Sequence, residues 1–398
     1  MSLDEFGRRY LRLTLALHRH LDGYVDAYYG PPELKAEVDA AEPPALAALQ
    51  AELDWLRAHV PAEDAARARH LHAIFRAMAC TLRLLAGERP EYLDEVAALY
   101  DIQPRRVDES VFERAHRALA ELLPGAGALA DRLEAWRKTF ELAPETLPPA
   151  LDLVRAETRR RTHALVDLVP GETVEVRLTR NQPWSAYNWY LGQARSLIEF
   201  NTDLPVSALD VLGLFAHEAY PGHHTEAQLK ERHLYAERGY AEMASALLHA
   251  PAAVIAEGIA TTALEVIFPD DSHYAWTAGT LLPACGRAAE DPERLRQIAR
   301  ARQDLRHVSG NAAILFHTGQ LDAAQTVDYL RQFGLGTEAR ARQSFRFITN
   351  PLFRAYIFTY TEGYDLIARA ADRVGQLALF RRLLTEPLLP TDLAALAA

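Results

Sequence analysis

The stretch His217-Glu218-Ala219-Tyr220-Pro221-Gly222-His223-His224 decides how this chain is read. It sets an imidazole beside a carboxylate and follows them with two more imidazoles. Helical zinc hydrolases use these residue types in this order. Two neutral imidazoles hold the metal, and the glutamate stays free to take a proton from bound water. The usual spacing between the histidines is four residues, one helical turn. Here His223 stands six positions after His217 (223 − 217). On an unbroken helix His224 would share a face with His217 but lie about 10.5 Å further along, and His223 would lie about 9 Å along on another face. Neither pair could then reach one ion at about 2 Å from each ligand.

Pro221 resolves the spacing. It has no N–H to give the carbonyl of His217, and its ring crowds that same carbonyl. Gly222 allows the backbone to turn back. The sequence therefore predicts a bulge at 220–222 that carries His223 to the second ligand position. His224 then becomes a supporting or substrate-side residue, although the two histidines could exchange roles. The third ligand is expected on a neighbouring helix. Glu257, 40 positions on (257 − 217), is a lone acid in an otherwise apolar run, and an unpaired buried carboxylate is costly. A cation would be its natural partner, and Gly258 would let two helices approach closely. Glu265 is a weaker candidate.

The rest of the chain bounds the class. At 398 residues it is long enough for two or three ordinary domains, or for one large helical body with two lobes. Hydrophobic residues make up 49% and charged residues 24%, the balance of a globular protein. A formal net charge of −11 argues against a nucleic-acid partner, because phosphate contacts need a basic surface. Cys80 and Cys285 are the only cysteines, which leaves no disulfide framework and no cysteine-based zinc site. Residues 1–9 carry acids where a signal peptide needs a basic start, and the apolar run 243–268 contains His249, Pro251, Glu257 and Glu265. A cytoplasmic protein with no membrane partner is expected.

Apolar residues recur at three and four positions through 5–28, 44–59, 62–86, 91–100, 109–122, 126–140 and 147–168, which predicts amphipathic helices. The pattern changes after Pro170-Gly171. Val174, Val176 and Leu178 alternate with Glu175 and Arg177, predicting a half-buried strand over 173–179, with further strands at 187–190 and 196–200. Ser207 and Asp210 fit a capping box, so the helix carrying the motif should begin at 208. Another helix is expected from Pro251 to about Phe268. The remainder, 275–397, reads as helical with a loop at 334–336.

His-Glu-Ala-Tyr-Pro-Gly-His-His followed by Glu257-Gly258 resembles the bacterial domain-of-unknown-function 885 family. That family is itself similar to the glutamate-zincin metallopeptidases, among them carboxypeptidase Taq and thimet oligopeptidase. The resemblance implies a large helical zincin-like fold, in which the histidine of the Gly222-His223 pair is the second ligand. The segment from Asn350 to Gly363, rich in tyrosine, is similar to the one those peptidases place over the metal. It implies that Tyr360 and Tyr356 stabilise the tetrahedral intermediate. Two aromatics packing in a helix core is the competing reading.

These readings converge on a mainly α protein, a large helical zincin-like fold with a small antiparallel sheet beside the metal-binding helix. An N-terminal helical lobe is expected over 1–169 and a catalytic lobe over 170–398, forming one continuous unit. The expected activity is zinc-dependent hydrolysis of a peptide or other small amide. One zinc ion would sit on His217, His223 and Glu257, with Glu218 as general base. An edge of the sheet would hold an extended substrate, and Arg346 and Arg354 are cationic candidates for its carboxylate. A zinc hydrolase of a non-peptide amide or ester shares all of this chemistry. A non-catalytic di-iron bundle would want two Glu-x-x-His pairs, and the chain has one, Glu113 to His116.

Overall fold

The computed structural model describes residues 3–182 and 184–398. Met1 and Ser2, part of the N-terminal reading, lie outside the described residues. The architecture is mainly α, with strands confined to two small sheets. Helices Leu46–Ala58, Ala65–Leu85, Tyr92–Tyr100, Glu109–Leu122, Leu129–Lys138 and Leu147–His163 form where the apolar spacing predicts them. Among the described residues no helix is long and apolar enough to cross a membrane.

The expected helix over 5–28 is a correction. It stops at His18, and the chain turns through Gly23, whose φ of +83° favours glycine. Val25–Tyr28 then forms strand β1, antiparallel to Ser245–Leu247. That pairing partner is more than 200 residues away, so a local period could not show it. Helix Pro32–Ala40, which opens with proline in its first turn, was not anticipated.

The larger sheet holds β2 (Thr173–Thr179), β3 (Ala186–Tyr190) and β4 (Arg195–Asn201) in the order β2-β4-β3, and Ser245–Leu247 is β5. It is mixed rather than antiparallel. β3 runs against β4, but β2 runs parallel to it. β4 folds back into the middle of the sheet, so β2 and β4 share a direction and β3 is left as an edge. The inward face of β4, Ser196, Ile198 and Phe200, is buried. Phe200 stacks on Phe215 of the motif helix with ring centroids 6.4 Å apart. Burying each of these rings contributes about 1.5–3 kcal/mol, which fixes the sheet against that helix.

Among the described residues three apolar clusters form, a small one around Leu119, Leu133 and Ile298 and two large ones. One large cluster joins Phe6, Tyr10, Leu53 and Phe75 to Leu247, and the other runs from Ala77 through the motif helix to Leu393. These two divide along helix Ala65–Leu85, and Tyr92, Phe112 and Leu151 pack in the same core as the motif helix. The N-terminal core reaches the site through the paired strands β1 and β5.

Candidate metal centre

The motif helix spans Ala208–Glu218, and the hydroxyl of Ser207 accepts from the amide of Leu209 at its start. Asp210 does not complete a capping box; it pairs with Arg137 at 2.7 Å. The helix stops at Ala219, the Tyr220–Pro221 peptide is cis, and a new helix, His223–Lys230, begins after Gly222. The amide of Gly222 reaches back to the carbonyl of Ala216 at 3.0 Å. A Cβ on Gly222 would sit 1.9 Å from the His217 carbonyl oxygen, so only glycine fits this return. The predicted bulge at 220–222 is thus realised as a complete break.

The break brings the imidazoles together. The rings of His217 and His223 lie 4.8 Å apart, nearly perpendicular. Glu257 comes from helix Pro251–Thr261 and faces both. His217 Nε2 lies 3.4 Å from Glu257 Oε2, and His223 Nε2 lies 3.8 Å from Oε1. One ligand atom from each residue falls within 4.8 Å of the others. Ligands about 2 Å from a shared ion in a tetrahedron are about 3.3 Å apart, so the spacing suits one metal. Glu257 is buried, and its Oε2 has no hydrogen-bond partner. An orphaned anionic oxygen costs free energy unless a cation meets it.

Around this triad the charges are arranged in depth. Burial pulls the His223 imidazolium down, but hydrogen bonding to Glu226 and the charges of Glu257 and Glu218 outweigh it and push it up to about 10. Glu226 Oε2 lies 3.9 Å from His223 Nδ1, the nitrogen turned away from Glu257, and its Oε1 accepts from Lys230 at 2.5 Å. Carboxylates in that position commonly orient a ligating histidine. Burial raises the Glu218 carboxyl above its usual range against the pull of His217 and His223. The carbonyl of Glu218 accepts from Asn188 Nδ2 of β3 at 2.5 Å, which ties the sheet edge to the motif.

The two expected tyrosines take different positions. The Tyr356 hydroxyl donates to Glu257 Oε1 at 2.6 Å, so it orients a candidate ligand. Tyr360 packs 5.6 Å from Tyr356 and faces the cavity beside the triad. Both phenols are raised well above their usual value by burial and remain proton donors.

His224 is not on the substrate side. Its ring is fully buried, with Nδ1 2.8 Å from Ser196 Oγ and Nε2 2.9 Å from Glu172 Oε2. Tyr220 and Arg159 also donate to Glu172. The order Ser196–His224–Glu172 is that of a hydrolytic triad, but Ser196 is buried away from the cavity and the set pins the turn instead. The two arginines are also corrections. Arg354 is clamped on the buried Glu95, with Nε 2.8 Å from Oε1. Arg346 is exposed. Neither lines the cavity. Glu265 accepts from Tyr364 at 2.6 Å, apart from the triad.

The triad opens on a cavity of about 720 Å³. Residues 184–188 of the β3 edge line it, and Glu218, Tyr360 and Lys230 project into it. Asp26 and Tyr187 are among the lining residues that the sequence did not single out. Asp26 of β1 is half-buried near His223 and Glu257 and accepts from the Tyr187 hydroxyl; desolvation raises its carboxyl. Tyr187 could have been suspected as a polar aromatic on the predicted edge strand. Nothing local to Asp26 signals its place.

No family model matches the chain, and no curated protein matches it. Solved structures do. A protein of Colwellia psychrerythraea provisionally named a lipoprotein is similar at 16% identity and a TM-score of 0.54, over 97% of this chain and 69% of that one. A protein of Shewanella oneidensis, provisionally named a lipoprotein of unknown function, gives 13% and 0.50 over 100% and 74%. A carboxypeptidase of Pyrococcus furiosus gives 12% and 0.43 over 96% and 90%. At these identities the first two likenesses establish a shared fold alone.

Proposed function

We propose that this protein is a zinc-dependent hydrolase that cuts short peptides. One observation carries the reading: His217, His223 and the buried, unpartnered Oε2 of Glu257 converge at the wall of a cavity that also receives Glu218. Two imidazoles and a carboxylate suit zinc, and three protein ligands are the number found in catalytic rather than structural sites. Zinc bound there would lower the pKa of water and polarise a carbonyl.

The chain's own groups supply the rest. Glu218, raised by burial, accepts a proton from the attacking water and returns it to the leaving nitrogen. Tyr360 donates a hydrogen bond to the oxygen that gains charge on the scissile carbonyl, a contact often worth about 3 kcal/mol of barrier. Tyr356 holds Glu257 in register. β3 is an edge strand whose residues line the cavity, and its outer side can pair with an extended peptide.

The test uses two variants and two readouts. Glu218→Gln should keep stoichiometric zinc and lose hydrolysis of a peptide library by at least about 100-fold. His217→Ala should lose both. Undiminished cleavage by Glu218→Gln would remove the general base, and a protein that takes up no zinc would end the hydrolase reading.

A further inference from the structure

The cavity does not end at the triad. Helix His223–Lys230 and the π-helical segment Glu231–Glu237 that follows present His223, Glu226, Lys230 and Leu234 along one wall. Seven residues separate His223 from Lys230 (230 − 223), which at helical rise is about 10.5 Å. At Lys230 the cavity meets the N-terminal core, where Tyr10, His70, Ile74 and Glu242 close it, each under one-tenth exposed. Among the described residues Lys230 is the only lysine or arginine that lines the cavity.

Two polar groups at this end have no partner. The Tyr10 hydroxyl and His70 Nδ1 are buried and unbonded, on side chains that are 0% and 4% exposed. Leaving both unmatched in an apolar core is costly, and such pairs of orphans at a cavity wall are what a polar ligand group repairs. The carboxylates nearby are already matched. Glu242 holds Arg67 through both oxygens at 2.6 and 2.8 Å, and Glu226 lies between Lys230 and His223. Lys230 Nζ keeps protons beyond the one given to Glu226, so an ammonium and a phenol both offer donors.

We infer that this deep end binds the terminal carboxylate of a peptide whose scissile bond lies at the triad. The inference rests on the hydrolase reading above and refines it. An extended chain advances about 3.4 Å per residue, so about two or three residues fit between the triad and Lys230. The protein then releases short C-terminal fragments. Hydrolysis is unchanged in its balance: the C–N bond breaks, water's oxygen joins the acyl carbon, and its proton passes through Glu218 to the leaving amine. This is the role expected of Arg346 and Arg354, carried by a lysine seven residues beyond the second histidine. His70 supports it: burial, with Lys230 and Arg67 near, lowers its imidazolium to about 3, so the ring stays neutral.

The experiment separates binding from turnover. Zinc-loaded protein is given N-blocked peptides with a free C-terminal carboxylate and the same peptides amidated. Free acids should lose a di- or tripeptide, and amidation should cut kcat/KM by about 10- to 100-fold, the size of a lost charge-assisted contact. Tyr10→Phe should bring that ratio close to one, and Lys230→Met should do so as well. Lys230→Met leaves Glu226 short of a partner, so Tyr10→Phe, which removes one oxygen, is the variant that decides if the other folds poorly. Equal cleavage of acid and amide, or cleavage that instead requires a free N-terminus, overturns the inference while leaving the hydrolase reading intact. If no peptide is cut, that reading fails, and calorimetry of trialanine and its amide on zinc-loaded Glu218→Gln still decides. Preference for the acid, lost in the additional Tyr10→Phe variant, upholds the site, and equal or absent binding overturns it.

Discussion

Tyr356 donates to one oxygen of Glu257 and leaves the other facing His217, 3.4 Å away. The hydroxyl thereby fixes which oxygen is offered to a cation. Tyr356 is itself held by edge contacts with Tyr100 and Tyr360. Tyr356→Phe should preserve the fold and weaken zinc binding by about 10- to 100-fold, the usual effect of losing a group that orients a ligand. Competition against a chromogenic chelator measures this. Unaltered affinity would show that the hydrogen bond does not orient Glu257.

A proton competes with the metal. With no metal bound, His223 titrates at about 10, because Glu226, Glu257 and Glu218 outweigh its burial. A raised value means that the imidazole is protonated through neutral pH and must give up its proton to ligate. Zinc affinity is expected to climb about tenfold per pH unit through neutrality, the slope for one proton released. Glu226→Gln removes the first of the raising partners and should flatten that slope. A profile indifferent to pH in the unaltered protein would contradict the placement of His223.

The turn behind the motif should fail in acid. Burial raises the Glu172 carboxyl, but hydrogen bonds from His224, Tyr220 and Arg159 outweigh it and hold it at about 2. A depressed carboxylate stabilises the fold fully above its unfolded pKa of about 4.3, and that contribution is lost as pH falls towards 2. Glu172→Gln should cost about 3 kcal/mol at neutral pH, because it breaks a buried network from one side. Its melting temperature should then fall less steeply than that of the unaltered protein below about pH 4.3. Parallel curves from thermal melts on metal-free protein would exclude Glu172 as the acid-sensitive group.

The sequence was most legible where one residue acts on its own neighbours. Pro221 breaks a helix by lacking a donor and Gly222 is required by the carbonyl of His217, five residues earlier, so the turn could be foreseen from these residues alone. Glu257 stood out for a similar reason, a charge set in an apolar run that needs a cation. Partners across the fold were not legible. Arg354 has the form of a substrate-binding cation, but its carboxylate, Glu95, lies 259 residues away. Asp26 reaches the triad through β1, whose helix-like spacing is overridden by pairing with β5. The mixed sheet escaped for the same reason, since alternation reports a strand's faces and not its neighbour's direction.

Glu257 meets the tyrosines beside a close crossing of two helices. Helix Pro251–Thr261 crosses helix Ile357–Val374 at Gly258 and Gly363, and the backbones touch there. A Cβ on Gly258 would lie 2.7 Å from the Gly363 carbonyl oxygen, and one on Gly363 would lie 2.4 Å from that of Val254. Both contacts are with backbone, which has no rotamer by which to yield. Gly258→Ala must therefore push the helices apart, and the displacement falls one residue from Glu257 and, at Gly363 on the partner helix, three from Tyr360. Overpacking of this kind costs about 1–3 kcal/mol. The expected result is a lower melting temperature together with weaker zinc binding, because the Tyr356–Glu257 hydrogen bond spans the same crossing. An alanine with lowered stability but full zinc affinity would show that the triad tolerates the shift, and that the close crossing serves the core rather than the metal.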